Sequence, residues 1–257
     1  MSMLQCGAAV ACRPETGCGH CHVDASTPRP SFDLPRYLSA LPLFHDVGPP
    51  ELARIAKGCS LRRLARGQAL FRCGDPCEEF HVTVKGQVKL YVLSSAGQEK
   101  VIDINGPGGS FAEALMFSGR PYILNAQALT DAMVLTVSKQ AVLAEIERDP
   151  RFCLRLLAGI SRRVHGLVRD VEDYTLCSGA QRVIAYLLRE VEERPQTGGE
   201  VTVSLAVSKA TIASRLSLTP EYFSRMLHDL EEAGLIVIER REIRIPDLQR
   251  LAGYRLQ

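Results

Sequence analysis

The sequence predicts an α+β chain in which a compact β domain is followed by a long dimerisation helix and a winged helix-turn-helix. Three observations carry this reading. Between 61 and 137, short β-branched or alternating runs are broken by Gly67, Gly74, Gly86, Gly97 and Gly109, the regular turn spacing of a sandwich or barrel. After Pro150, the residues Cys153, Leu157, Ile160, Val164, Leu167, Val171 and Tyr174 follow one another at 4-3-4-3-4-3. Further on, two helical patterns, Ser208–Leu216 and Pro220–Ala233, are separated only by Ser217-Leu218-Thr219.

Composition bounds the function classes. In 257 residues, hydrophobic types make up 46% and charged types 23%, which is globular usage and excludes wholesale disorder. The net charge of +2 excludes a polybasic chain, so nucleic-acid binding has to be local. No uncharged apolar run reaches the roughly 18–20 residues of a membrane helix. The start of the chain lacks a basic n-region and a full apolar h-region, so a cytoplasmic protein is expected. Its nine cysteines are then expected as thiols or metal ligands rather than disulfides.

Residues 1–31 are rich in Cys, Gly, Ala, Pro and Ser without an apolar period and read as a cysteine-rich extension. Cys6, Cys12, Cys18 and Cys21 are candidate metal ligands, with His20 and His22 beside them; an incidental cluster in a flexible tail is the plainer alternative. Residues 32–150 form the β domain. Two short helical patterns, Leu34–Leu41 and Glu51–Lys57, precede strands over Gln68–Arg72, Phe80–Val84, Gln87–Leu93, Lys100–Ile104, Ile123–Leu129 and Met133–Val137. Residues 151–178 hold the long helix. Its apolar seam serves either packing within the chain or a partner, and a period of 3.5 rather than 3.6 favours a parallel coiled coil and a homodimer.

Residues 179–257 form the last domain, with a helix over Ala180–Glu193, a turn at Pro195–Gly199, and the two helices of a helix-turn-helix. Ile236-Val237-Ile238 and Ile243-Arg244-Ile245 flank a turn and read as a wing. Thr219 suits an N-cap and Pro220 the first helical position. Glu221, Ser224 and Arg225 then share one face at the start of the second helix, where a recognition helix meets base edges. Arg225 can donate twice to guanine O6 and N7 while Glu221 accepts from cytosine N4. An exposed Glu–Arg helix pair is the bland reading, which the preceding helix and the wing outweigh. Lys209, Arg215, Arg240, Arg241 and Arg244 surround this face as candidate phosphate contacts. Residues 201–257 carry eight Lys/Arg against seven Asp/Glu, so non-specific affinity is modest and specificity rests on a dimer that engages a palindromic double-stranded DNA site.

The order of parts resembles the CRP/FNR family of bacterial transcription regulators over residues 38–250. The resemblance rests on Pro42-Leu43-Phe44 with Glu51-Leu52-Ala53, Gly67-Gln68-Ala69-Leu70-Phe71 with Gly74-Asp75, Val84-Lys85-Gly86-Gln87-Val88-Lys89-Leu90, Phe111-Ala112-Glu113-Ala114, and Glu221-x-x-Ser224-Arg225. It implies that the β domain is a cyclic-nucleotide-binding-like β-roll acting as a sensor, and that RNA polymerase is a partner if the protein is an activator. The shared Glu-x-x-Ser-Arg implies a TTGAT-type half-site. The cyclic-AMP branch holds its phosphate with an Arg-Ser pair; the matching positions are Tyr122 and Ile123, and Ala112 stands where that branch has glycine before the retained Glu113, so a cyclic nucleotide is not the expected ligand. The oxygen-sensing FNR branch adds a late roll cysteine to its N-terminal ones, and that position is Leu135. Asn125-Ala126-Gln127-Ala128, Ala213-Ser214-Arg215-Leu216 and Thr219-Pro220-Glu221 look similar to the Dnr branch, which senses nitric oxide through haem; His81, His165 and Met116 are then candidate axial ligands. The expected signal is redox or gaseous, nitric oxide or oxygen, through haem or an iron–sulfur or metal site. No nucleophile elbow, phosphate-binding glycine loop or His-Glu-x-x-His motif is present, and no enzyme is expected. The competing reading is a metal-binding dimeric adaptor or cysteine-based redox protein without specific DNA binding.

Overall fold

The computed structural model describes residues 33–41, 44, 47–192, 201–205 and 207–254. Cys6, Cys12, Cys18 and Cys21, with His20 and His22, lie outside the described residues, as does the expected turn at 195–199.

Helices α1 (Leu34–Ser39) and α2 (Pro49–Lys57) come first. Prolines occupy the first turn of α2, where a missing N–H forfeits no helical bond, and Leu52 and Ile55 enter the core. Then follow β1 (Cys59–Leu64), β2 (Ala69–Phe71), β3 (Glu79–Lys85), β4 (Val88–Leu93), β5 (Glu99–Asn105), β6 (Ser110–Phe111), α3 (Glu113–Ser118), β7 (Asn125–Ala128), β8 (Ala132–Ser138) and α4 (Lys139–Arg148). The strands make two antiparallel sheets, β1-β8-β3-β6 and β2-β7-β4-β5. Phe80, Val82, Val134 and Val137 of the first sheet and Val88, Leu90, Ala126 and Ala128 of the second are buried in one core. The turn between β3 and β4 needs Gly86: φ is +79°, and a Cβ would lie 2.9 Å from the Ala132 Cα.

All six expected strands are present. Four elements in this domain were not expected, among them the two-residue strand β6. β1 pairs only with β8 and carries two arginines, so its apolar alternation is broken. α3 is too short to show a period. α4 is started by Ser138, whose Oγ accepts from the Ala141 N–H, and is tied to α2 by Arg54, whose Nε and Nη2 lie 3.0 and 2.6 Å from the two carboxylate oxygens of buried Glu145.

The long helix α5 (Arg151–Leu176) spans the expected segment, with Phe152 and Leu156 buried against the β-roll. The residues of the expected seam differ in their surroundings. Leu157, Val164 and Val171 are 52%, 51% and 60% exposed, as an unpaired dimer face requires. Leu167 is also exposed, at 45%, while Ile160 and Cys153 are half-buried and Tyr174 is taken up by the last domain; Ile160, Val164 and Leu167 all border a cavity against the roll. Leu154 and Val168 are exposed as well, so a second open stripe runs Leu154, Leu157, Ser161, Val164, Val168, Val171 at 3-4-3-4-3. Two heptad stripes sharing Leu157, Val164 and Val171 are interleaved on this helix, and period alone does not choose between them.

The last domain contains α6 (Gly179–Glu192), β9 (Val201–Ser204), α7 (Lys209–Arg215), α8 (Pro220–Glu232), β10 (Val237–Glu239), β11 (Glu242–Ile245) and α9 (Leu248–Ala252). Its sheet order is β10-β11-β9. Val183, Leu187, Ile212, Phe223, Leu227, Ile243 and Ile245 form a second core. Gly234, at φ +67°, ends α8 in the left-handed conformation expected of it.

Candidate nucleic-acid interface and sensor cavity

Helix α8 opens as expected: the Thr219 Oγ1 accepts from the Tyr222 N–H at 3.2 Å, with Pro220 next in line. Phe223, Met226 and Leu227 point into the core, which leaves Glu221, Ser224 and Arg225 together in solvent. The Arg225 guanidinium lies 5.1 Å over the Tyr222 ring. Arg240 and Arg241 form the exposed turn of the wing hairpin, and Arg240 is left-handed at φ +58°, which costs a non-glycine residue roughly 1–2 kcal/mol. Lys209 opens α7, half-buried. Arg244 stands 3.9 Å from Glu239 across the hairpin.

Arg215 leaves the phosphate-contact set. Its side chain is only 17% exposed; Nη2 is 2.7 Å from Asp170 of α5, and Nη1 donates to the Tyr174 hydroxyl at 2.6 Å. The Tyr174 hydroxyl in turn donates to the Arg215 carbonyl at 2.7 Å. Lys100 on β5 completes the dock. Its Nζ donates to the carbonyls of Ser214 and Arg215 at 2.7 and 3.0 Å and to the Ser217 Oγ at 2.7 Å, and it lies 4.6 Å over the Tyr174 ring. A cation on the last carbonyls of α7 is favoured by the helix dipole. Burial, then the charge of Arg215, lowers the Lys100 amine to about 8. The hydrogen-bond partners of Lys100 lie over a hundred residues away in sequence and those of Arg215 over forty, so no local signal announces this cluster.

A cavity of about 730 Å³ lies between α5 and the β6–α3 segment of the roll. Its walls include Phe71, Val82, Leu90, Phe111, Leu124, Ile160 and Leu167, with Glu113, Arg162 and Arg163 among the few charged groups. Arg163 is engaged by Asp103 at 2.6 Å. Ala112, also in the wall, is left-handed at φ +73°, a conformation that glycine adopts without strain. No His, Cys or Met is among the described residues lining the cavity.

The three candidate axial ligands stand elsewhere. His165 is exposed on α5, Met116 is fully buried, and His81 is sealed among aromatic rings. Tyr122 stacks on Phe71 with centroids 3.6 Å apart, and the His81 ring lies 5.4 Å from Phe71 and 5.3 Å from Phe111. The Tyr122 hydroxyl donates to the Glu79 carbonyl at 3.2 Å, so it accepts from the His81 Nε2–H at 3.0 Å, and Nδ1 accepts from the Thr136 hydroxyl at 3.1 Å. Burial first, then Arg62, pushes the imidazole down to about 3, so it is neutral. Leu135, where the oxygen-sensing branch has its late cysteine, is fully buried. Among the described residues no group of three His, Cys, Asp or Glu is placed to hold a metal ion, and no helix is long and apolar enough to cross a membrane.

Comparison with known proteins agrees with this arrangement. The sequence profile of the cyclic nucleotide-binding domain matches residues 61–149, and that of the Crp-like helix-turn-helix domain matches residues 181–254, together well over half the chain. The chain belongs to the CRP/FNR family. It is 25% identical over 211 residues to the CRP-like cAMP-activated global transcriptional regulator of Mycobacterium tuberculosis, covering 82% of this chain and 94% of that protein. It is 34% identical to DNR from Pseudomonas aeruginosa, covering 84% of this chain and 95% of that one, with a TM-score of 0.46. FixK2 from Bradyrhizobium japonicum, 23% identical, has the same fold at a TM-score of 0.68 over 75% of this chain and 95% of that one. CRP/FNR proteins are transcription regulators that bind DNA and act as dimers; they are not enzymes.

Proposed function

We propose that this CRP/FNR protein is a homodimer that reads a TTGAT-type palindrome with Glu221, Ser224 and Arg225 and answers to a redox or gaseous signal, nitric oxide or oxygen. The observation that carries the DNA reading is the joint exposure of these three side chains on the first turns of a capped helix, with Glu221 and Arg225 in no ion pair among the described residues. Arg225 donates to guanine O6 and N7, Glu221 accepts from the paired cytosine N4, and Ser224 takes either role. Lys209, Arg240 and Arg241 meet the backbone. The apolar stripe from Leu154 to Val171 pairs with its copy and sets the spacing of the two recognition helices. Val164 belongs to both the stripe and the cavity wall, so filling the cavity biases the helix pairing.

The described cavity wall does not fit an axially ligated haem, since it carries no imidazole, thiolate or thioether. Cys6, Cys12, Cys18 and Cys21 are the thiols proposed to hold iron–sulfur or another metal. Metal analysis of anaerobically purified full-length protein against a chain beginning at residue 32 tests this, and equal metal content in the two rejects it.

The DNA reading is tested by fluorescence anisotropy with a TTGAT-N4-ATCAA duplex and with a duplex substituted at the guanine. Arg225→Ala should lose about 1–3 kcal/mol per half-site on the first duplex and much less on the second. Equal losses on both would make Arg225 a positioning contact and remove the base reading.

A further inference from the structure

Only Cys177 and Ser178 separate the dimer helix α5 from α6. The junction is fixed by a reciprocal cap: the Ser178 N–H donates to the Gln181 Oε1 at 2.7 Å, and the Ser178 Oγ accepts from the Gln181 N–H at 3.3 Å. Gly179, the first residue of α6, is therefore held in place. A Cβ at Gly179 would overlap the Tyr222 ring of α8, lying 2.8 Å from both its Cζ and its hydroxyl. Gly179 is not among the left-handed glycines, so this position calls for a glycine because of space and not because of backbone conformation. The half-buried Tyr222 ring also carries the Arg225 guanidinium, at 5.1 Å from its centroid. A free arginine side chain samples many rotamers, whereas one held over a ring by a cation–π contact keeps its planar fork in a narrower set of directions.

We infer that Tyr222, braced against Gly179 at the start of α6 just beyond the dimer helix, is a positioning residue for base readout: it aims Arg225 at the guanine edge. The inference rests on the base reading proposed above and adds a mechanical link, since the ring touches the junction that a change in the α5 pairing moves. Two contacts, Gly179 to Tyr222 and Tyr222 to Arg225, thus connect the start of α6 to the base-reading side chain.

The experiment compares wild type, Tyr222→Leu, Tyr222→Phe, Gly179→Ala and the Gly179→Ala/Tyr222→Leu pair, each as the full chain. Binding is measured to the consensus duplex and to the guanine-substituted duplex across several salt concentrations. Leucine keeps apolar packing and removes the π face, so the consensus-to-substituted ratio should fall roughly two- to fivefold per half-site. Tyr222→Phe should keep the ratio. Gly179→Ala should lower it by displacing the ring, and the pair should be no worse than Tyr222→Leu alone, because the clash has gone. The salt dependence should be that of wild type in every variant, which a general loss of docking would not give. A wild-type ratio in Tyr222→Leu, while Arg225→Ala lowers it, overturns the positioning role alone. An unchanged ratio in Arg225→Ala overturns the base reading and the role built on it.

Discussion

Arg215 and Arg225 sit on the two helices of one helix-turn-helix and have opposite fates. The first, at the end of α7, is shut into the contact between that helix, α5 and β5, where Asp170 and Tyr174 take its donors. The second, at the start of α8, lies open on a tyrosine face. Residue type and motif are the same; the direction of the helix end decides. The closing end of α7 meets Lys100 and the roll, whereas the opening end of α8 meets solvent. A basic residue near a recognition helix is thus a DNA contact only after its own carboxylates have been counted.

The strongest way to break the comparison is to leave both arginines untouched and remove the dimer. Leu157→Glu with Val164→Glu places charge in the exposed stripe, and binding to the palindrome should fall by roughly a thousandfold or more, toward the non-specific level. Sedimentation should give monomers; a double variant that still sediments as a dimer moves the interface off this stripe. Next in size is Arg215→Gln. Asp170 then keeps Arg189, at 3.6 Å, and the nearby charge of Lys100, and stability should drop by about 2 kcal/mol in urea titration, short of the roughly 3–5 kcal/mol for a buried charge left wholly alone. Its slope of log affinity against log salt should stay that of wild type, because Arg215 neutralises no phosphate.

His81 sharpens the contrast from the other side, as a polar group closed to solvent in the roll. Its folded value of about 3 lies below the ordinary 6.5, so the unfolded chain binds the extra proton between those values. The stability this supplies is complete above pH 6.5 and is lost as pH falls toward 3. Urea midpoints across that window should slope less in His81→Gln than in wild type. The smallest effect is expected of Arg241→Ala on the wing, which should weaken consensus and substituted duplexes alike and reduce the salt slope by about one. A sequence-dependent loss there would make the wing a base reader.

The strands of the roll were legible because β-branched runs and glycine turns are local signals, and the recognition helix was legible because Thr219, Pro220 and Gly234 mark both of its ends. What escaped was decided at a distance. The fate of Arg215 depends on Asp170, Tyr174 and Lys100, which come together only after folding. The choice between two interleaved stripes on α5 depends on which side faces the cavity. α3 and α4 are short helices whose sides are set by the sheets beneath them; the Ser138 cap was a visible start signal for α4, but without an apolar period it did not stand out. His81 and Tyr122 read as separate residues until β3 and the segment before β7 place them in one hydrogen-bonded chain.

Tyr122 also sets the terms on which this roll can change in descent. The ring is stacked on Phe71 and bonded to His81, so an arginine in its place would bring a full charge into an aromatic box and leave the imidazole without its acceptor. A single exchange at this position therefore disturbs the whole box. Phe71, His81 and Tyr122 have to change as a set for both the ring stack and the hydrogen-bonded chain to survive, which makes one-residue intermediates costly.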